Sequence, residues 1–179
     1  MRQVLSVLFV VVFAGCVQSK QIAVADRVPA ESKVGILEFR DCPNAKGPQC
    51  DGSGVAATAA FSRGFEAEAH LSLVRIVRPV APNALITDKQ ALLTAAAEGV
   101  EFVLVGDVHA YLDMPPSNTG NEMYGGGNRD QAGLLVRLIR VRDKRVVATL
   151  NDDQTGMARN APDEMFENMG ADFARTVRK

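Results

Sequence analysis

The segment EFVLVGDVHAYL, residues 101–112, carries the strongest strand pattern in the chain. It opens with consecutive apolar residues, most of them β-branched or aromatic, and then alternates between polar and apolar side chains. Such residues are enriched in strands, and a period of two places successive side chains on opposite faces of a sheet. The segment therefore predicts a strand that is half-exposed where its polar residues alternate.

Two strands and two helices are predicted on the amino-terminal side of this strand. KVGILEF at 33–39 and LSLVRIV at 71–77 are short apolar runs of the kind that forms strands. Between them, residues 55–69 carry apolar side chains four positions apart, which is the spacing of one helix face. A second helix is predicted from about residue 87 to about residue 98, where a glycine follows and ends it.

Two strands and one helix are predicted on the carboxyl-terminal side. AGLLVRLIRV at 132–141 and RVVATL at 145–150 are joined by a short polar connection, which is typical of a hairpin. A long polar loop, 113–130, precedes them, and the last helix begins close to Pro162. We predict a single α/β (α+β) domain of order β-α-β-α-β-β-α, with a mixed sheet and helices packed on it.

The length and the net charge of the chain limit the number of domains and the kinds of partner that it can have. A chain of 179 residues has room for one domain of ordinary size. Its 20 Lys and Arg residues against 21 Asp and Glu give a formal charge of -1, without the basic excess that binds nucleic acid. Charged residues make up 23% of the chain, which is typical of a folded globular protein. We therefore predict no nucleic-acid partner.

The amino terminus has the pattern of a targeting segment. A short basic start is followed by VLSVLFVVVF at 4–13, an almost wholly apolar run. This run is too short to span a membrane and suits the apolar core of a signal peptide. The next residues, Ala14-Gly15-Cys16, complete a motif that resembles the lipobox of bacterial lipoproteins, although Phe13 stands where Leu is usual.

The lipobox resemblance implies that residues 1–15 are removed as a signal peptide and that Cys16 carries lipid. Val17 follows in place of the Asp that favours inner-membrane retention, which implies the periplasmic face of the outer membrane. A chain anchored in this way lies on a membrane without spanning it. Residues 16–32 are then predicted to be a lipidated flexible tether, and residues 33–179 the periplasmic domain. The alternative is an ordinary secretory signal with an incidental cysteine.

Cys42 and Cys50 remain once Cys16 is assigned to the lipid. Their spacing fits neither a CxxC redox motif nor a zinc-binding pair. In an oxidising compartment such a pair is predicted to form a disulfide. A loop this short gives a stabilisation of roughly 2–3 kcal/mol in the chain-entropy account. Two free thiols are the alternative.

Asp107, His109 and Tyr111 alternate along the predicted strand, so their side chains are expected on one face. An Asp and a His at this separation could form an acid-base pair, which would suit a small periplasmic hydrolase or ligand-binding protein. However, no GxSxG-type elbow supplies a nucleophile. We favour an interaction surface made of these residues, with Tyr124 from the 113–130 loop, and predict no catalytic residue.

Three weaker motifs have structural explanations that require neither phosphate binding nor metal binding. The glycine run 125–127 precedes a strand and lacks the Lys-Ser/Thr of a phosphate-binding loop. The acidic pairs 152–153 and 163–164 could bind a divalent cation weakly, but a strand end and a helix dipole account for them. We therefore predict no metal and no cofactor.

The segment EGVEFVLVGDV at 98–108 resembles a signature of bacterial lipoproteins that share the fold of the TolB amino-terminal domain. This group includes the curli secretion lipoprotein and the Pel polysaccharide export lipoprotein. The lipobox comes first, and the KVGILEF strand, the hairpin and the closing helix follow in the matching order. The resemblance covers nearly all of residues 33–178. The resemblance implies a non-enzymatic role, ring-like self-association and an outer-membrane location.

The function that these observations predict is that of a lipid-anchored envelope protein. It would act as an assembly or accessory component, in export of a polysaccharide or a curli-like polymer, through contact with itself or with another envelope protein. The alternative, from a different class, is the periplasmic hydrolase or ligand-binding protein that would use Asp107, His109 and Tyr111.

Overall fold

The computed structural model describes residues 19–43, 50–113, 130–155 and 161–178. Six strands and three helices lie within these ranges. In chain order they are β1 (Ser19–Val24), β2 (Val34–Leu37), α1 (Ser53–Ala69), β3 (Val74–Ile76), α2 (Asp88–Ala97), β4 (Phe102–Leu112), β5 (Gln131–Arg140), β6 (Arg145–Thr155) and α3 (Pro162–Arg178).

The six strands form one mixed sheet in the order β1-β6-β5-β4-β2-β3. β2 runs parallel to both of its neighbours, β3 and β4, while β4, β5, β6 and β1 are antiparallel in succession. A parallel strand is covered on both faces, which explains why β2 and the start of β4 are continuous apolar runs. The prediction of one α+β domain with a mixed sheet is confirmed.

The observed order of elements, β-β-α-β-α-β-β-β-α, has two strands more than the predicted order. One is the amino-terminal strand β1. The other is a strand that the predicted order left out: the segments predicted at 101–112, 132–141 and 145–150 all form strands, β4, β5 and β6, whereas the order as written contains two strands after the second helix. The hairpin between β5 and β6 forms as expected, and β6 runs on to Thr155, beyond the predicted end at residue 150.

The helices cover the two faces of the sheet unequally. On one face α1 and α3 pack side by side over a core rich in aromatic rings, namely Phe39, Phe61, Phe65, Phe166 and Phe173. On the other face α2 lies over a smaller core. This smaller core draws its sheet residues from β2, β3, the first half of β4 and the end of β5. The sheet therefore has one fully covered face and one half-covered face.

Two glycines allow α1 and α3 to approach closely. A side chain at Gly64 of α1 would collide with the carbonyl oxygen of Glu167, and one at Gly170 of α3 would collide with that of Phe61. The two helix backbones are thus in direct contact at this crossing. Small residues on both sides bring the flanking phenylalanines into contact, with the rings of Phe61 and Phe173 centred 6.2 Å apart.

The loop before α1 is fixed to the first turn of that helix. The carboxylate of Asp41 accepts hydrogen bonds from the backbone N–H groups of Gly54, at 2.6 Å, and Gly52, at 3.3 Å. A disulfide joins Cys42 to Cys50 at the two ends of the loop. Free N–H groups at a helix start need acceptors, so this distant aspartate acts as the cap of α1.

β1 corrects the prediction that residues 16–32 form a flexible tether. Residues 19–24 pair in antiparallel register with β6, from Ser19 opposite Asp153 to Val24 opposite Ala148. The side chain of Ile22 packs against the main core, while its neighbours in β1 are exposed. A short strand with a single partly buried side chain leaves almost no periodicity, which is why the sequence did not show it.

Candidate interaction surface

Asp107 lies on the half-covered face, at the point where β4 leaves the cover of α2. Its Oδ1 atom is 3.0 Å from Nε of Arg40, although this N–H does not have the alignment of a hydrogen bond. The backbone of Arg40 brackets Asp107, donating to the carbonyl of Gly106 and accepting from the N–H of Val108, each at 2.9 Å. Asp107 thus pairs with a cation from the segment that follows β2, and the acid-base pair with His109 that the hydrolase alternative would use does not form.

His109 pairs with Asp153 of β6, across the intervening strand β5. The Nε2 atom of His109 lies 2.6 Å from Oδ1 of Asp153. Directly between them is Gly133, where a Cβ atom would stand 2.6 Å from the imidazole ring and 2.7 Å from the carboxylate. The imidazole therefore crosses β5 only because residue 133 has no side chain. An ionised carboxylate is an acceptor only, so Nε2 donates to it.

Tyr111 faces the opposite side of the sheet from Asp107, contrary to the prediction that the three residues share a face. The register of β4 with β5 shifts between Val108 and Ala110. Such a bulge adds one residue to the strand and inverts the alternation beyond it. The ring of Tyr111 stacks on that of Phe166 from α3, with centroids 6.1 Å apart and planes 12° apart.

The partly buried position of Tyr111 changes the acidity of its hydroxyl group. Burial raises the pKa of the Tyr111 hydroxyl, and the negative charges of Asp163 and Asp113 raise it further. The phenol is consequently neutral at physiological pH and packs as an aromatic side chain. It has no part in a polar cluster with His109, so the three-residue site of the hydrolase hypothesis is not assembled.

The two predicted acidic pairs do not form a shared cation site. Asp152 is buried on the face that α1 and α3 cover, while its neighbour Asp153 is exposed and binds His109. Asp163 and Glu164 lie in the first turn of α3, as a helix dipole favours. Within the described ranges, no three His, Cys, Asp or Glu side chains are placed to hold a metal ion.

Arginine side chains of β5 fasten the sheet to its surroundings, a role that the sequence did not reveal. Arg137 Nη1 lies 2.5 Å from the carboxylate of Asp88 at the start of α2. Arg140 binds Asp26, after β1, and its guanidinium lies 5.7 Å from the ring centre of Phe102. The hydrogen bond from Arg140 lowers the pKa of Asp26. These partners are distant in sequence, so only the fold could identify them.

Several predicted features fall outside the described residues. Cys16, Tyr124 and the glycine run 125–127 are among them. Within the described part of the chain, no helix combines the length and apolarity that crossing a membrane requires. Both ends of the loop that contains Tyr124 are described, and they lie where β4 ends and β5 begins, at the same end of the strands as the start of β1 and the end of β6.

A shallow groove of about 490 Å³ lies between α1 and the edge strand β3. Its apolar lining includes Val55 of α1 and Val77, which follows β3 and is 87% exposed. The salt bridges around it pair Arg63 with Glu167 and Arg75 with Glu66. The groove contains no arrangement of groups that defines a chemical reaction.

Comparisons with known proteins identify the fold. No protein-family model matches the chain, and no curated protein matches it. Among solved structures, the PelC dodecamer from Paraburkholderia phytofirmans is 16% identical, with a TM-score of 0.66 over 91% of this chain and 99% of that one. A point variant of the same dodecamer gives a TM-score of 0.65 at 16% identity, covering 91% of this chain and 100% of that one.

A lipoprotein from Neisseria meningitidis is also similar, at 12% identity and a TM-score of 0.46, covering 82% of this chain and 97% of that one. A TM-score of 0.46 is too low for this similarity to support a conclusion about the fold. The two PelC structures show that this chain has the PelC fold over nearly its whole described length. The resemblance to the TolB-like lipoprotein group that the sequence carries is thereby confirmed for the fold.

Proposed function

We propose that this chain is a lipid-anchored periplasmic protein of the outer membrane that serves as an assembly component in the export of an extracellular polymer. The observation that carries the proposal is the shared fold with PelC, a protein whose solved structure is a dodecamer. The lipobox-like Ala14-Gly15-Cys16 supports the anchor. The role is non-enzymatic and acts through contact between copies of the chain.

The position of β1 supports a defined orientation on the membrane. Ser19 begins β1, three residues after Cys16. Three extended residues span at most about 11 Å. A lipid on Cys16 would therefore hold the Ser19 end of the sheet against the membrane. The hairpin between β5 and β6, at the other end, would point into the periplasm.

The anchor is tested by replacing the lipidated residue. We expect a Cys16→Ser variant to leave the membrane fraction, because a single hydrophobic attachment is then lost. A Cys42→Ser/Cys50→Ser double variant is the matched control and should stay with the membrane, since it keeps Cys16. Metabolic labelling with a fatty-acid analogue should mark the control and not the Cys16 variant. A Cys16→Ser chain that remains membrane-bound would disprove the anchor.

Self-association is tested by the native mass of the full-length lipidated protein in detergent, measured by light scattering. We expect one discrete species of more than two subunits. A monomer over the whole accessible concentration range would contradict the proposal.

The pairing of His109 with Asp153 means that the hydrolase alternative still has to be tested. The same purified protein can be used for that test. A carboxylate that orients an imidazole is the arrangement of a general base. If the chain were a hydrolase, His109→Ala would abolish a measurable turnover of an ester or amide substrate. We expect no such turnover in the unaltered protein.

A further inference from the structure

The sheet has two open edges, β1 on one side and β3 on the other. One row of the register crosses all six strands, through Val24, Ala148, Leu138, Leu104, Ile36 and Arg75. The four inner residues of this row belong to the main core, on the face that α1 and α3 cover. Residues of one row share a face of the sheet. Val24 and Arg75 therefore lie at the same height along the strands and on this covered face, at opposite edges of the sheet.

The β3 edge carries the apolar groove beside α1. Val77 and Val55 line this groove, with exposed fractions of 87% and 51%. Val77 lies two residues beyond Arg75, which places it close to the row that ends at this edge. Apolar side chains that are grouped in a recess and bordered by charged residues are typical of an interaction site. The groove is therefore a surface that a partner would cover.

The β1 edge exposes apolar side chains at the matching height. Val24 is 37% exposed, and the next residue, Ala25, is exposed as well. Together with Thr176 of α3, these two residues line a second shallow groove. α3 thus leaves part of the β1 edge uncovered, as α1 does at the β3 edge. The two edges present small apolar surfaces at one height and on one face, and these surfaces point in opposite directions.

The charges on the hairpin side of these valines are complementary. Arg27 lines the groove at the β1 edge and forms no ion pair within the described ranges. At the β3 edge, the carboxylate of Glu66 accepts a hydrogen bond from the N–H of Leu73 at 2.7 Å and lies 3.6 Å from the guanidinium of Arg75. Leu73 and Arg27 both lie toward the hairpin end from the row of Val24. Two edges placed together at one height would bring Arg27 close to the Glu66 carboxylate.

The other charged groups that line the two surfaces would not repel each other. Glu38 lines the groove two residues beyond Ile36, which places it at the height of Ile22 on the opposite edge. The nearest charged residue of β1 is Lys20, whose charge is opposite. The remaining groups are already paired within the chain, namely Arg63 with Glu167, Lys20 with Asp172 and Asp26 with Arg140.

We infer that the α1–β3 groove binds the β1 edge of a second copy of this chain, with Val24 packed against Val77 and Val55. Because the two edges point in opposite directions, each copy uses one edge and leaves the other free for the next copy. Such a contact is head-to-tail, and its repetition about an axis parallel to the central strands gives a ring. The Ser19 ends of all copies then lie on one side, as anchors in one membrane require. The inference rests on the proposed self-association and identifies the surfaces that produce it.

Cysteine cross-linking in membranes of the expressing bacterium tests this contact on the full-length protein. We expect a Val24→Cys/Val77→Cys double variant, treated with a short bismaleimide, to give a ladder of covalent dimers, trimers and larger species. Within one chain the two edges are five strand spacings apart, about 24 Å, so the linked cysteines must come from different copies. The native Cys42 and Cys50 are joined to each other and offer no thiol.

The unaltered protein and each single variant should give no cross-linked species, because the two cysteines belong to different edges. A Val77→Cys/Arg142→Cys pair is the matched control and should also give none, since Arg142 lies in the β5–β6 hairpin, away from the β1 edge. Dimers from Val24→Cys alone or Val77→Cys alone would indicate a symmetric contact and overturn the inference. A double variant without a ladder would overturn it as well.

A charged substitution separates this inference from the proposed function. Val77→Asp should reduce the native mass to that of a monomer and leave the circular dichroism spectrum unchanged, because Val77 is exposed. Leu93→Asp is the matched control and should keep the oligomer, since Leu93 is a 64% exposed side chain on α2, on the other face of the sheet. An oligomer that survives Val77→Asp overturns the contact while self-association stands. An unaltered chain that is itself monomeric defeats both.

Discussion

Asp152 introduces a carboxylate into the covered side of the sheet, where its exposed fraction is 1%. Gln154 donates to Oδ2 at 3.0 Å, and Oδ1 has no hydrogen-bond partner among the described residues. Burial disfavours the charged form and raises the pKa of this carboxyl group. The folded chain therefore holds this proton more tightly than the unfolded chain does.

Asp152→Asn should raise the free energy of unfolding at pH 7, because a neutral amide replaces a buried charge. A carboxyl whose pKa is raised on folding destabilises the fold above that pKa, and the penalty disappears as the pH falls to about 4, the unfolded value. The gain from Asp152→Asn should therefore shrink between pH 7 and pH 4 in urea unfolding curves. Asp153→Asn, at the exposed neighbour, is the control and should show no gain. A loss of stability in Asp152→Asn at pH 7 would contradict this account.

At the scale of elements, replacing Gly64 or Gly133 by alanine should change the free energy of unfolding by different amounts, although an added Cβ atom would collide with a neighbour at both positions. At Gly64 the obstacle is the backbone of α3, which cannot move without separating the helices. At Gly133 the obstacle is the imidazole of His109, which can rotate into solvent. We expect Gly64→Ala to cost about 1–3 kcal/mol or more of unfolding free energy, as overpacking does.

Gly133→Ala should cost less than about 1 kcal/mol, which is the typical upper value of an exposed ion pair. It should also displace the His109 ring from Asp153, visible as changed imidazole resonances in NMR spectra. Guanidinium unfolding of both variants measures the difference in free energy. Equal losses at the two positions would show that the α1–α3 crossing is not a rigid backbone contact.

The predictability of each element follows from how far apart its determinants lie in the sequence. The three helices could be predicted, because each carries its own apolar face or cap, as Thr87 and Gln90 do for α2. The bulge after Val108 could not, since a shifted register depends on the partner strand. The pairing of His109 with Asp153 was missed for the same reason, and because it requires a glycine on a third strand.

At the scale of the whole molecule, the proposed anchor fixes which end of the sheet meets the lipid. β5 has 10 residues, which at about 3.4 Å each separate the two ends by about 34 Å. A fluorophore on Gln131→Cys, at the Ser19 end, should be quenched by nitroxide lipids when the lipidated protein is reconstituted in vesicles. The same fluorophore on Lys144→Cys, in the hairpin, should not be quenched. Stronger quenching at residue 144 would reverse the proposed orientation.

The antiparallel pairing of β1 with β6 also determines how the domain responds to pulling. Tension on the chain before Ser19 acts along the axis of β1, so the backbone bonds to β6 are loaded in shear together and do not peel apart singly. Ile22 would have to leave the core in the same event. A strand that holds one side chain in the core and shares tension along its length is a mechanical clamp between an attachment point and the folded body.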